Sequence, residues 1–362
     1  DLTSVEPGRT DVSEFTIRIG PAPEPPEGYE PEDESEPEDE SESEPEAGPV
    51  VLGGDESAEV PAAVQDPRYR LDPEGDAVEE VRRVARGRAD SAVTTLRESN
   101  PETRAAAVHT ARKDMKKMRA VLRLVRGEIG KKAYRSENDR FRDAARKLSA
   151  ARDAEVLTGT VDSLLEQYPE QAPPVEGFRE ELDRRRQEAA GHGPDDTVEA
   201  HVAQAADEIA EGAAEIDSWP LRRSDWKLFE PGLYRSYSGG RVALKGVEKG
   251  DPPDEAMHEF RKRVKDFWYE MRLLRDCWQA GLDGVVEEAG LLADLLGDYN
   301  DLSVLRAEIA GRDEPDENLA TLTSLATERQ RELLGQALPI ARRLYAEKPE
   351  AFTARIGAYW SA

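Results

Sequence analysis

Two stretches of this chain, 149 residues apart, carry one pattern, and that repetition restricts the fold to a duplicated helical unit. The first begins at His109, in VHTARKDMKKMRAVLRLVR, and the second at His258, in MHEFRKRVKDFWYEMRLLR. Counted from each histidine, basic residues recur at offsets +3, +7, +14 and +17. They are Arg112, Lys116, Arg123 and Arg126 in one copy and Arg261, Lys265, Arg272 and Arg275 in the other. Lys113 and Lys262 match at +4, whereas +10 is Arg119 in the first copy and Trp268 in the second. Steps of three and four place these side chains along one face of a helix, a stripe about 25 Å long at 1.5 Å per residue.

An apolar stripe runs beside the basic one. The residue before each basic position is hydrophobic: Ala111, Met115, Met118, Leu122 and Val125, then Phe260, Val264, Phe267, Met271 and Leu274, with Val108 and Met257 ahead of the histidines. The apolar face anchors each helix to a core, so the cations are expected at the lip of a helix–helix groove. A solvated face normally mixes signs, because like charges at helical spacing repel by a few tenths of a kcal/mol per pair. Incurring that repulsion twice, in one register, points to a surface for a polyanion.

The charge balance sharpens this reading. The formal net charge is −27, but residues 1–65 hold 20 acidic and 2 basic residues, leaving −9 for residues 66–362. Residues 1–66 are rich in Pro, Glu and Ser and are expected to be a disordered acidic tail, since they bury too little apolar surface to offset their ordering entropy. Residues 67–362 then form the folded body. The lone cysteine, Cys277, excludes an intramolecular disulfide and is expected to be a buried thiol. No apolar run is long enough to span a bilayer, and the amino terminus lacks the layout of a secretory signal, so a cytoplasmic location is expected.

Helical periodicity dominates after Arg68, and the expected fold class is all-α. Helices are predicted near 74–98, 102–128, 135–166, 174–190 and 196–217, then 232–247, 254–281, 284–310, 315–337, 340–347 and 350–360. Asn100-Pro101 and the Asp251–Asp254 segment start the two histidine helices; Gly127 and Gly130 close the first and Gly281 the second. Prolines of the body are expected at element borders. The repeat also extends beyond the histidine helices, since LSAARDAEVL at 148–157 aligns with LGDYNDLSVL at 296–305. Two bundles, about 67–217 and 218–362, should pack about a pseudo-twofold axis and bring the basic stripes together.

These residues resemble CHAD-domain proteins, the conserved-histidine α-helical domain family. The resemblance covers 67 to about 361 and rests on His-x-x-Arg-Lys-x-x-Lys followed by an Arg-Asp or Asn-Asp element, twice in order. It implies two helical bundles around a basic cleft that binds inorganic polyphosphate. The implied contacts are His109, Arg112, Lys113, Lys116, Arg119 and Arg123, with His258, Arg261, Lys262, Lys265 and Arg272. Arg146, Arg152, Tyr234, Arg235, Arg241 and Lys245 extend the cleft by the same resemblance, and the stripes add Arg126 and Arg275. Trp268, in place of a cation, and Asn300, where Arg152 stands, depart from a symmetric pattern. Many relatives carry a preceding triphosphate-processing domain marked by a Glu-x-Glu-x-Lys strand, and no such strand is found in this sequence.

The chemistry expected is binding without catalysis, with no cofactor and no metal. HEFRK at His258 is not HExxH, and there is no CxxC, Walker loop or GxSxG elbow. Arginine forks suit a row of phosphates, and affinity should fall steeply with salt through counterion release. Asp153 and Asp301 are expected to orient arginines across helix interfaces. A polyanion beside His109 and His258 would favour imidazolium, so binding should tighten as pH falls through about 6.5. His192 and His201 read as surface residues. A phosphoanhydride-processing enzyme is the alternative. Nucleic acid is disfavoured by net acidity and by few aromatics along the stripes, and no membrane is expected as partner. The acidic run from Glu30 to Glu46 could also compete for the cleft in cis.

Overall fold

A computed structural model describes residues 69–148, 153–191, 195–250, 252–312 and 316–362. The expectations for the acidic tail, Arg152 and His192 lie outside them, as does the side chain of Asp153. The described residues form helices joined by short connections, with no strand among them, so the fold is all-α.

The helices of the first repeat are α1 (Ala77–Arg97), α2 (Arg104–Leu124), α3 (Arg126–Ile129), α4 (Lys131–Lys147), α5 (Asp153–Gln167), α6 (Glu176–Gly191) and α7 (Asp195–Glu215). Those of the second are α8 (Glu230–Val247), α9 (Asp254–Leu273), α10 (Gln279–Ala310), α11 (Glu317–Leu344) and α12 (Pro349–Trp360). Local chemistry sets the starts. Asp76 accepts from the Val78 and Glu79 amides, both at 3.0 Å, and Asp316 accepts from Leu319 at 2.9 Å. Prolines sit in the first turns of α8 and α12, where no backbone donor is needed. Gly130, at φ 80°, provides the left-handed turn between α3 and α4.

The two halves repeat one packing scheme. α1 packs on α2 and α7, as α8 packs on α9 and α12; α5 packs on α6, as α10 packs on α11. Across the halves, like meets like: α2 touches α9, and α5 touches α10. The α5–α6 hairpin leans onto α10 and α11, where Arg185 pairs with Glu308 (2.7 Å) and Arg312 with Glu181 (3.0 Å). Buried apolar side chains form one continuous cluster from Tyr69 to Trp360, so the repeats share a core.

Three predicted boundaries differ. The helix expected over 135–166 is instead α4 and α5, whereas its counterpart α10 is one helix of 32 residues. α9 ends at Leu273, whose carbonyl accepts from the Leu71 amide at 2.8 Å; Gly281 closes nothing and lies in the first turn of α10. A Cβ on Gly281 would come within 2.3 Å of the Trp278 ring, so packing, not chain termination, requires that glycine. The predicted break before 340 is absent, and Pro339 lies inside α11. Pro339 and Gly335 are both exposed, so solvent can satisfy the carbonyl that proline leaves without a donor. Among the described residues no helix is long and apolar enough to cross a membrane.

Candidate functional site

The predicted apolar stripes are buried: of their twelve positions, only Val108 keeps intermediate exposure, and it still packs against the core. The basic stripes lie deeper than the lip of a groove. Arg112, Arg119, Arg126, Arg235 and Lys265 are 5–8 % exposed, and Arg261 is fully buried. His109, Lys113, Lys116, Arg123, His258, Lys262, Arg272 and Arg275 are half-buried. A cation one helical position from a core residue is drawn down by its own methylene stem, which packs while the charge seeks a partner.

The two histidine helices cross, and the contact is reciprocal. Arg123, at offset +14 of α2, pairs with Asp266, at +8 of α9, at 2.9 Å. The converse positions, Lys117 at +8 and Arg272 at +14, flank one ring, that of Tyr69, at 5.7 and 5.6 Å from its centroid. A twofold axis between the helices requires this exchange of offsets. The Tyr69 hydroxyl donates to the Lys117 carbonyl at 3.2 Å, and its ring meets Tyr269 edge-on. Burial pushes the Tyr69 phenol well above its ordinary range, so it stays a neutral donor. The stripes thus meet at this crossing, and the start of α9 also packs against α10 of its own half.

Helix α8 lies over the same seam. Its Ser236 hydroxyl donates to Glu270 on α9 at 2.7 Å. Glu270 is fully buried, and desolvation raises its pKa well above the usual carboxylate range, although Arg123 and Arg235 oppose this. The seam's cations also meet two acids, Asp266 and Asp114. Asp114 forms a buried pair with Arg88 of α1 at 2.9 Å and lies 3.5 Å from Lys117.

The start of α9 faces α10. His258 Nδ1 lies 3.2 Å from Asn300 Oδ1, which explains an asparagine in the Arg-Asp position: it meets the histidine. Asp301 lies in the field of Arg261 and Lys265, as expected of an orienting acid, yet burial dominates and raises its pKa to about 6. Trp268, in place of a cation, lies 4.9 Å from the Arg272 guanidinium and fixes that arginine.

Other predicted residues have distinct surroundings. Arg241 donates to the carbonyls of Tyr345 and Glu347, holding the α11–α12 connection. Arg275 pairs with Asp283 at the start of α10. The Tyr234 hydroxyl donates to Glu350 at 3.1 Å. Arg146 and Lys245 are exposed, Arg146 lying 3.7 Å from Asp143. His201 is exposed, as expected. Cys277 is half-buried, and burial pushes its thiol up to about 12, so it is unreactive as thiolate. Sequence reasoning missed Tyr69, Asp114, Asp266, Ser236 and Glu270; only Asp114 and Asp266, acids inside basic stripes, carried a visible signal.

A family model described as "CHAD domain" matches residues 87–310. Among solved structures, the chain is similar to the crystal structure of the CHAD domain from the plant Ricinus communis. The two are 15% identical with a TM-score of 0.49, over 78% of this chain and 95% of that one. No curated protein matches this chain.

Proposed function

The chain belongs to the CHAD-domain family, and from that premise we propose that it binds inorganic polyphosphate, without catalysis, at the seam of α2, α8 and α9. The observation that carries this reading is the reciprocal crossing, which places cations of both repeats beside one axis. Polyphosphate bears a charge on every unit and offers no base to read, so a row of arginine forks and lysine ammoniums is sufficient recognition. Desolvation of Glu270 disfavours its charged form, which limits how far this buried acid cancels that field. Lys113, Lys116 and Lys262 keep partial solvent access and supply the first contacts; more deeply set arginines strengthen the field behind them. Binding of this kind would also recruit the protein to polyphosphate granules.

Titration of labelled long-chain polyphosphate against wild type and Lys116→Gln/Lys262→Gln tests the reading. These substitutions remove charge at half-buried positions without opening a core cavity. The expected result is at least tenfold weaker binding, with a shallower dependence on salt. Equal affinity in the double variant overturns the seam as the site. Phosphate release with Mg²⁺ present would favour a phosphoanhydride-processing enzyme, and preferential displacement by single-stranded RNA would favour a nucleic-acid binder.

A further inference from the structure

The first described residue, Tyr69, lies on the cationic crossing itself. Its ring, 6% exposed, sits between Lys117 of α2 and Arg272 of α9. Further contacts fix this entry point. Arg70 pairs with Asp276 at 3.0 Å, and the Arg83 guanidinium donates to the Arg70 carbonyl at 2.7 Å. The Leu71 amide donates to the Leu273 carbonyl at the end of α9 at 2.8 Å. Whatever precedes Tyr69 is therefore tethered at the seam. Among those residues, Glu30–Glu46 holds 11 acidic and no basic side chains in 17 residues. The 22 residues between Glu46 and Tyr69 could span about 75 Å at full extension, well beyond the length of one basic stripe.

Charge selects what such a run can meet. Residues 66–362 carry a net charge of −9, so an acidic run is repelled by the body as a whole and attracted where cations concentrate. At the seam, Lys113 and Lys116 of α2 and Lys262 and Arg272 of α9 keep partial exposure. Arginine forks and lysine ammoniums donate to carboxylates as they do to phosphates. A tether of this length corresponds to an effective concentration on the order of millimolar, so individually weak ion pairs suffice for occupancy. We propose that the Glu30–Glu46 run occupies the seam in cis, as an internal competitor that polyphosphate must displace. A charge on every phosphate unit outmatches carboxylates on 11 of 17 residues, so long polyphosphate wins this exchange. The displacement rests on the polyphosphate reading; the contact itself does not.

Carbodiimide cross-linking of the full chain, which joins carboxylates to lysine amines in direct contact, tests the contact with no ligand present. The expectation is cross-links from Glu30–Glu46 to Lys113, Lys116 or Lys262, in a yield independent of protein concentration. No cross-link from the run to these lysines, or an equal spread onto the exposed Lys132 of α4 and Lys348 between α11 and α12, would overturn the proposal. Competition is read in a full-length variant in which each glutamate of the run is changed as in Glu30→Gln and each aspartate as in Asp33→Asn. It should bind long-chain polyphosphate at least fivefold more tightly than wild type at about 0.15 M salt, where screening over about 8 Å leaves close contacts dominant. Equal measurable affinities would overturn the competition. Seam cross-links in a chain that binds no polyphosphate, with or without the substitutions, would support the contact and strike the polyphosphate reading alone.

Discussion

Asp301 and Glu270 are both buried acids beside cations, and desolvation outweighs those cations in each. For Asp301 the folded pKa is about 6 against an ordinary 3.8. The folded state therefore holds its proton more tightly, and the stability contributed by this group falls as pH rises from about 4 to about 6. Two pH units correspond to about 3 kcal/mol as an upper figure. Asp301→Asn should thus unfold at higher urea than wild type at pH 7, with the gain vanishing by pH 4. Lower stability of the variant at pH 7 would mean that Arg261 and Lys265 depend on its charge. Desolvation raises the Glu270 pKa, so Glu270→Gln, which keeps the shape and removes the titration, should not lower stability at pH 7, whereas Ser236→Ala should destabilise by about 1–2 kcal/mol through loss of a buried donor. Urea titrations of the two variants would separate these outcomes. At this scale the sequence located the cations well and their environment poorly. Side-chain spacing fixes which face a residue occupies; the burial of Arg261 and of Glu270 depends on α8 and α10, remote in sequence.

Among the elements, periodicity was most reliable where an apolar stripe was continuous, as in α2 and α9. It failed where one stripe spans two helices, as in α4 and α5, or where proline sits on a solvated face, as in α11. Neither case alters the apolar pattern, so neither is legible from it. Close approach of elements leaves a weaker trace, in glycine. A Cβ on Gly232 of α8 would lie 2.1 Å from the Leu124 carbonyl at the end of α2, a clash with backbone that no rotamer can relieve. Gly232→Ala should destabilise by about 3 kcal/mol, at the upper end for overpacking, because α8 must withdraw from α2. A shift in urea midpoint measures that loss. An unchanged midpoint would mean that the crossing yields easily, which would also weaken the case for a fixed seam.

For the molecule as a whole, one core and two like-with-like contacts make the repeats interdependent. Thermal unfolding followed by tryptophan fluorescence and by far-ultraviolet circular dichroism should give coincident single transitions. Two separated transitions would show that the halves are independent domains. If polyphosphate binds the native state alone, it should raise that midpoint at low salt and progressively less as salt increases. The sequence by itself determined the helical class, the duplication, the matched stripes and the polarisation of charge, because these follow from residue spacing along single helices. Only the tertiary structure decided that α2 and α9 meet by exchanging offsets +8 and +14, and that the cations sink below the groove's edge. Those outcomes depend on the angles and depths at which helices pack, and such angles arise from the combined shape of side chains that lie far apart in the chain.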